Sequence, residues 1–100
     1  MRIGIVRGTV VSTQKDPSLT GVKFLLVQYL DQEGQPTPDH EVAADPVGAG
    51  IEEWVLVSRG SAARQPQGND KRPLDAVVIA IIDTVSLGGG SLYSKRDQFR

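Results

Sequence analysis

The sequence contains no cysteine, few aromatic residues and no long apolar run. Without cysteine, disulfides, thiolate nucleophiles and sulfur-ligated zinc sites are excluded. The longest apolar stretch, Ala76 to Ile82, is far shorter than the ~20 residues that span a bilayer. Arg7 interrupts the first apolar residues before a signal core of ~7–15 residues could form. We therefore expect a cytoplasmic protein with no export signal and no membrane partner.

The charge balance gives no sign of a polyanionic partner. Eleven basic and twelve acidic residues leave a formal net charge of -1, so no strong positive field exists to attract nucleic acid. A chain of 100 residues is expected to form one domain, spanning residues 1–100. Since only 5% of the residues are aromatic, its core must consist mainly of Val, Ile, Leu and Ala.

Turn signals divide the chain into short β-branched runs, a pattern typical of a β-barrel or β-sandwich. Paired prolines at 36 and 38 are predicted to end strand pairing there. One helical turn is predicted at Gly60 to Arg64, with Ser61 as its N-cap. The predicted strands are Arg2 to Thr13, Gly21 to Leu30, Glu41 to Ala44, Glu52 to Ser58 and Asp75 to Ser86, with an edge strand at Leu92 and Tyr93.

Both faces of these strands are apolar, although a strand with one face in water should alternate apolar and polar residues. In the fifth run, the two sets are Ala76, Val78, Ala80 and Ile82, and Val77, Ile79 and Ile81. No amphipathic helix is predicted that could cover the outer face. A second copy of the chain is the simplest cover, and a monomeric two-layer sandwich is the alternative.

Catalytic and ligand-binding patterns are weak. Ser61 would need a base, and the single histidine, His40, lies in a predicted polar loop with no orienting acid beside it. The glycine-rich loop from Gly48 to Gly50 lacks the lysine and helix of a phosphate site. Scattered carboxylates show no metal-ligand spacing. We therefore expect no enzyme, no cofactor and no metal, and an OB-fold nucleic-acid module is a further alternative.

Several segments, in order and over nearly the whole chain, resemble the EutN/CcmL family of bacterial microcompartment vertex proteins, and most closely its carboxysome type. The segments that carry the resemblance are Gly8 to Thr13, Leu19 to Leu25, Asp45 to Gly50, Glu53 to Arg64, Pro73 to Val85 and Leu92 to Arg96.

The resemblance implies an all-β, five-stranded, OB-like barrel with one short helical turn. It also implies a homopentamer that closes the vertices of a carboxysome shell, joins hexameric shell proteins and helps to retain carbon dioxide for fixation in photosynthesis. A vertex subunit of an ethanolamine- or propanediol-type compartment is the alternative within the family. The expected subunit or pore contacts are Val47, Gly48, Ala49, Gly50, Ser58, Arg59, Gly60, Ser61 and Arg64.

Overall fold

The computed structural model describes residues 1–11, 17–19, 21–60 and 75–95. The first five strands close into a barrel in the order β1-β2-β3-β5-β4, and the last two form a separate antiparallel hairpin. This confirms the predicted all-β five-stranded barrel, whereas the predicted helical turn falls mostly on residues 61–64, outside the described residues. The elements are β1 (Arg2–Val10), a 3₁₀ turn (Pro17–Leu19), β2 (Phe24–Leu30), β3 (Pro36–Ala44), β4 (Trp54–Arg59), β5 (Ala76–Ile81), β6 (Thr84–Leu87) and β7 (Gly90–Ser94).

The barrel interior is filled by side chains from all five strands. Alternate residues of a strand point to opposite faces, so every second residue is directed inward. Small and β-branched residues dominate, as the low aromatic content predicts. The buried core consists of Val6, Leu25, Val27, Tyr29, Ala43, Ala49, Val55, Val57, Ala76 and Val78, with Ile81 packed against it.

A bulge in β5 changes which residues of the fifth run share a face. Val57 pairs with Val78 but Leu56 pairs with Ala80, so Ile79 is an extra residue on β5. Beyond the bulge the alternation shifts by one residue, and Ile81 therefore joins the interior face. The two face sets predicted from strict alternation are therefore wrong after Ile79, from Ala80 onward.

The fifth run is also not one continuous strand. β5 ends at Ile81, opposite Val55, because β4 begins at Trp54 and offers little further pairing. The chain then turns at Asp83, whose carbonyl oxygen accepts a hydrogen bond from the Lys95 N–H at 2.8 Å, and forms the β6–β7 hairpin. The β-branched composition predicts strand on both sides of this turn, but it cannot show where the pairing partner changes.

The prolines at 36 and 38 lie within β3, so the prediction that they end strand pairing is wrong. β3 pairs with β2 at Pro36 and again from His40 to Ala44, and Pro38 lies in the register shift between them, whereas β3 and β5 pair at Ala44 and Val77. Within the described residues, most of β3 therefore has a paired strand on one side only. Proline is tolerated there because its missing N–H removes no ladder bond on the open side.

The chain covers part of its own outer face, for which the sequence suggested a second copy as the simplest cover. Leu19, Val22 and Phe24 pack on a small cluster formed by Ala44 and Val77, separate from the barrel core. The Trp54 ring is stacked on Tyr93 of β7, with centroids 4.2 Å apart and 13° between the ring planes. Other apolar side chains stay exposed, among them Val42, Val47, Ile51, Ile79 and Leu87.

Within the described ranges, no helix is long and apolar enough to cross a membrane.

Candidate subunit interface

The loop of residues 45–50, between β3 and β4, is held by a buried carboxylate. Asp45 Oδ1 accepts hydrogen bonds from the Val47 and Gly48 N–H groups at 3.1 and 2.9 Å, and Oδ2 accepts one from Ala49 at 2.8 Å. Lys23 Nζ lies 3.5 Å from Asp45 Oδ2. Because three loop amides converge on one side chain, the loop has a fixed conformation.

This fixed loop exposes some of the predicted contact residues and buries another. Ala49 is 2% exposed and belongs to the barrel core, whereas Val47 is 44% exposed. Gly48 has a φ of +92°, a conformation that disfavours other residues, and a side chain there would meet no atom within 4 Å. The loop therefore combines an internal anchor with an apolar side chain and a bare backbone that face outward.

Ser58 lies near the far end of β4, but strand pairing brings it close to the start of this loop. It pairs with Val77 of β5, and Val77 pairs with Ala44, the residue before Asp45. Two strand spacings of about 4.8 Å separate Ser58 from Ala44. Ser58 is buried in the chain itself, with 5% of its surface exposed. It therefore supports the outer face and presents little of its own surface.

Arg59 contributes to a cluster that closes one end of the barrel around Tyr29. The guanidinium carbons of Arg2 and Arg59 lie 4.1 and 5.3 Å from the centre of the Tyr29 ring. The Tyr29 hydroxyl donates to Glu41, which also accepts from Arg59 Nε at 2.8 Å. Burial, together with the Glu41 carboxylate, raises the pKa of Tyr29 far above its usual value.

Gly60 follows β4 directly, and its N–H donates to the Asp75 carbonyl oxygen at 2.8 Å. Ser61 and Arg64 lie outside the described residues. The contact residues that the structure describes thus fall in two groups, the loop before β4 and the end of β4 with Gly60. Ser58, in the second group, is linked to the first through its row of paired residues.

Two interactions of charged side chains were not predicted from the sequence. Asp45 as the loop anchor could have been recognised, since Asp followed by Pro and Gly is a common turn pattern. Glu53 and Lys95 form an ion pair at 2.6 Å, but they are far apart in the sequence and no local pattern connects them. The side-chain hydrogen bond from Lys95, and then that from the Gly50 N–H, lower the pKa of Glu53.

The alternative of a nucleic-acid-binding module finds little support in the described residues. Tyr29 and Tyr93 are buried, Trp54 is stacked on Tyr93, and Phe24 is half-buried, so these aromatic rings form no open stacking platform. His40 lies on β3 and not in a loop, with Nδ1 at 3.1 Å from the Pro38 carbonyl oxygen. No group of three His, Cys, Asp or Glu residues in the described ranges is arranged to hold a metal ion.

Comparison with known proteins gives a consistent result. A family model described as "Ethanolamine utilisation protein EutN/carboxysome" matches residues 1–83. The carboxysome shell vertex protein CcmL of Gloeobacter violaceus is 69% identical over 100 residues, with all of both chains covered. Its solved structure superposes with a TM-score of 0.93, covering 97% of this chain and 100% of the other.

More distant relatives come from other compartments. The microcompartment shell vertex protein PduN of Salmonella typhimurium is 47% identical, covering 86% of this chain and 99% of its own length. The GrpN pentameric microcompartment shell protein from Rhodospirillum rubrum is 46% identical in structural alignment, with a TM-score of 0.80 and coverage of 87% and 99%.

A filled five-stranded barrel with a fixed, outward-facing loop and relatives of this kind defines a structural protein of microcompartment shells. The chain belongs to the EutN/CcmL family. Within that family it is a carboxysome shell vertex protein, since carboxysome shell vertex proteins are 62–69% identical to it, whereas the microcompartment shell vertex proteins PduN, EutN and GrpN are 39–49% identical.

Proposed function

We propose that five copies of the chain form a closed ring that caps a carboxysome vertex, joins the surrounding hexameric shell proteins and acts without catalysis. The observation that carries this proposal is the 69% identity over the full chain to a carboxysome shell vertex protein, together with the near-superposable structure of that relative. The pentameric state of the related GrpN shell protein supports the copy number.

The geometry of a polyhedral shell gives the ring its role. Hexagonal tiles alone make a flat sheet, and five-fold units supply the curvature that closes it. A ring arises when one patch of each copy contacts a different patch of the next copy, and the rotation closes after five copies. Such a chain needs outward apolar surface, and Val47, Ile51 and Ile79 provide it.

The filled barrel supports a sealing role. Small barrels whose interior is packed with side chains leave no channel. Here Ala49 belongs to the packed core, and the Tyr29 ring with its flanking guanidinium groups occupies one end of the barrel. A solute that crosses the ring must therefore pass between copies, and this restriction helps to keep carbon dioxide near the enclosed carboxylating enzyme.

We assign the ring contacts to the loop residues Val47, Gly48 and Gly50 and to the segment after β4. Val47→Asp tests this assignment, because a half-exposed position tolerates a carboxylate in a single copy but not in an apolar contact. Val42→Asp is the matched control, since Val42 is exposed to a similar extent on β3. Loss of the ring in the first variant alone supports the assignment, and loss in the second alone overturns it.

The vertex role is tested in a carboxysome-forming cell from which the corresponding gene is removed. We expect elongated or open shells by electron tomography and poor growth in ambient air. Both defects should be corrected by the wild-type chain and not by a variant shown to be monomeric. Normal closed shells in the deleted strain would overturn the proposal.

A further inference from the structure

The Glu53 carboxylate connects two elements that are distant in sequence. Its Oε1 accepts a hydrogen bond from the Gly50 N–H at 2.6 Å, at the end of the 45–50 loop. Its Oε2 lies 2.6 Å from Lys95 Nζ, directly after β7. The Glu53 side chain is only 14% exposed. One carboxylate therefore contacts both the 45–50 loop and the residue that follows the hairpin.

Each end of the loop depends on a different carboxylate. Asp45 holds Val47, Gly48 and Ala49 from the β3 side, as described above. The Gly50 N–H is bonded to Glu53 instead. Glu53 therefore fixes the end of the loop that the Asp45 hydrogen bonds do not reach, at a glycine with wide conformational freedom.

The β6–β7 hairpin also depends on contacts with the barrel. An isolated two-stranded hairpin is marginally stable in water and requires packing against another element. The β6–β7 hairpin is attached to the barrel by the stacking of Tyr93 on Trp54 and by the pairing of Lys95 with Glu53.

From this geometry we infer that Glu53 is a positioning residue for ring assembly, which transmits the position of the β6–β7 hairpin to the 45–50 loop. The inference rests on the proposed function, in which that loop contacts the neighbouring copy. It makes the hairpin part of the assembly mechanism, although the hairpin follows the segment matched by the family model. A loop held in its bound conformation also binds at a smaller entropic cost.

The decisive variant is Lys95→Met, which removes the ammonium group but keeps the Glu53 carboxylate and a side chain of similar length. We expect the protein concentration at which half of the copies are assembled to rise several-fold. The emission of the single tryptophan, Trp54, should change at the same time, because its stacking partner lies on the hairpin.

Glu52→Gln is the matched control. It breaks an ion pair with Arg7 at 3.2 Å, one position before Glu53, without touching the hairpin. The control should assemble as the wild type does. If Lys95→Met and Glu52→Gln both assemble at the wild-type concentration, the inference is wrong.

Amide hydrogen exchange separates this inference from the proposed ring. The exchange rate of the Gly50 N–H should rise several-fold in Lys95→Met, in assembled and dissociated protein alike, and stay unchanged in Glu52→Gln. If the wild type never assembles but the Gly50 rate rises, the ring proposal fails and the coupling stands. An unchanged Gly50 rate overturns the coupling, whatever the copy number.

Discussion

Replacing Asp45 with asparagine tests the fixed loop most sharply. Asparagine can keep the Oδ1 acceptor for Val47 and Gly48, but it presents an amide nitrogen where Oδ2 accepted the Ala49 N–H. Ala49 is buried, so its N–H is left without an acceptor, at a cost of about 1–3 kcal/mol. Loss of the half-exposed Lys23 partner adds about 0–1 kcal/mol.

We therefore expect Asp45→Asn to lower the free energy of unfolding by about 2–3 kcal/mol, or roughly 10–20 °C in Tm for a domain of this size. Urea unfolding followed by Trp54 emission, at one fixed protein concentration, measures the effect. Asp31→Asn is the control, because Asp31 Oδ1 alone accepts the Glu33 and Gln35 N–H groups in an exposed turn, at 2.9 Å each. Equal losses in the two variants would refute the reasoning about the buried Ala49 donor.

Two further predictions concern the barrel and the hairpin attachment. Gly4→Ala should destabilise the fold by about 1–3 kcal/mol, since the added Cβ would collide with Val27 inside the barrel. Gly8→Ala is the control and should be neutral or slightly stabilising, since a Cβ there meets nothing within 4 Å. Equal urea midpoints for the two variants would contradict this prediction. The lowered pKa of Glu53 means that its contribution to stability is present above the unfolded-state pKa and is lost as the pH falls through the folded-state value. Acid unfolding should therefore be less steep in Glu53→Gln, and identical acid transitions would show that the Lys95 ion pair contributes nothing.

The local environment of Glu53 fixes the direction of that pH effect. Its carboxylate faces the Lys95 ammonium and the Gly50 N–H, and both favour its charged form. Asp83 and Tyr93 also lie near Lys95, and with Glu53 they raise the pKa of the lysine, the hydrogen bond to Glu53 being the largest cause. The ion pair is therefore intact across the neutral range, and acid conditions remove it through Glu53.

The strand content could be predicted from the sequence because β-branched runs and turn residues act locally. The barrel closure and the change of partner at Asp83 could not, because they depend on which strands pair. The bulge at Ile79 shows the limit of alternation, since one extra residue exchanges the two faces of all that follows. The position of two prolines inside β3 could not be predicted, because the free-energy cost of a proline in a strand depends on whether its missing N–H would have bonded to a neighbouring strand.

The candidate interface was predicted less completely than the fold. The turn composition of the loop before β4 could have identified Asp45 as the loop anchor. The exposure of Val47 agrees with a contact role, which stays a prediction. The bridge from Gly50 through Glu53 to Lys95 joins residues far apart in sequence, so only the folded chain reveals it. The stacking of Trp54 on Tyr93 could not be predicted from the sequence for the same reason.

The mass of the assembled wild-type protein tests the central claim most directly. Five copies of a 10.7 kDa chain give a particle of about 53 kDa, since 5 × 10.7 is 53.5. Native mass spectrometry at micromolar concentration should show that species and few other assemblies. A folded 10.7 kDa monomer that persists as the concentration rises would contradict the account.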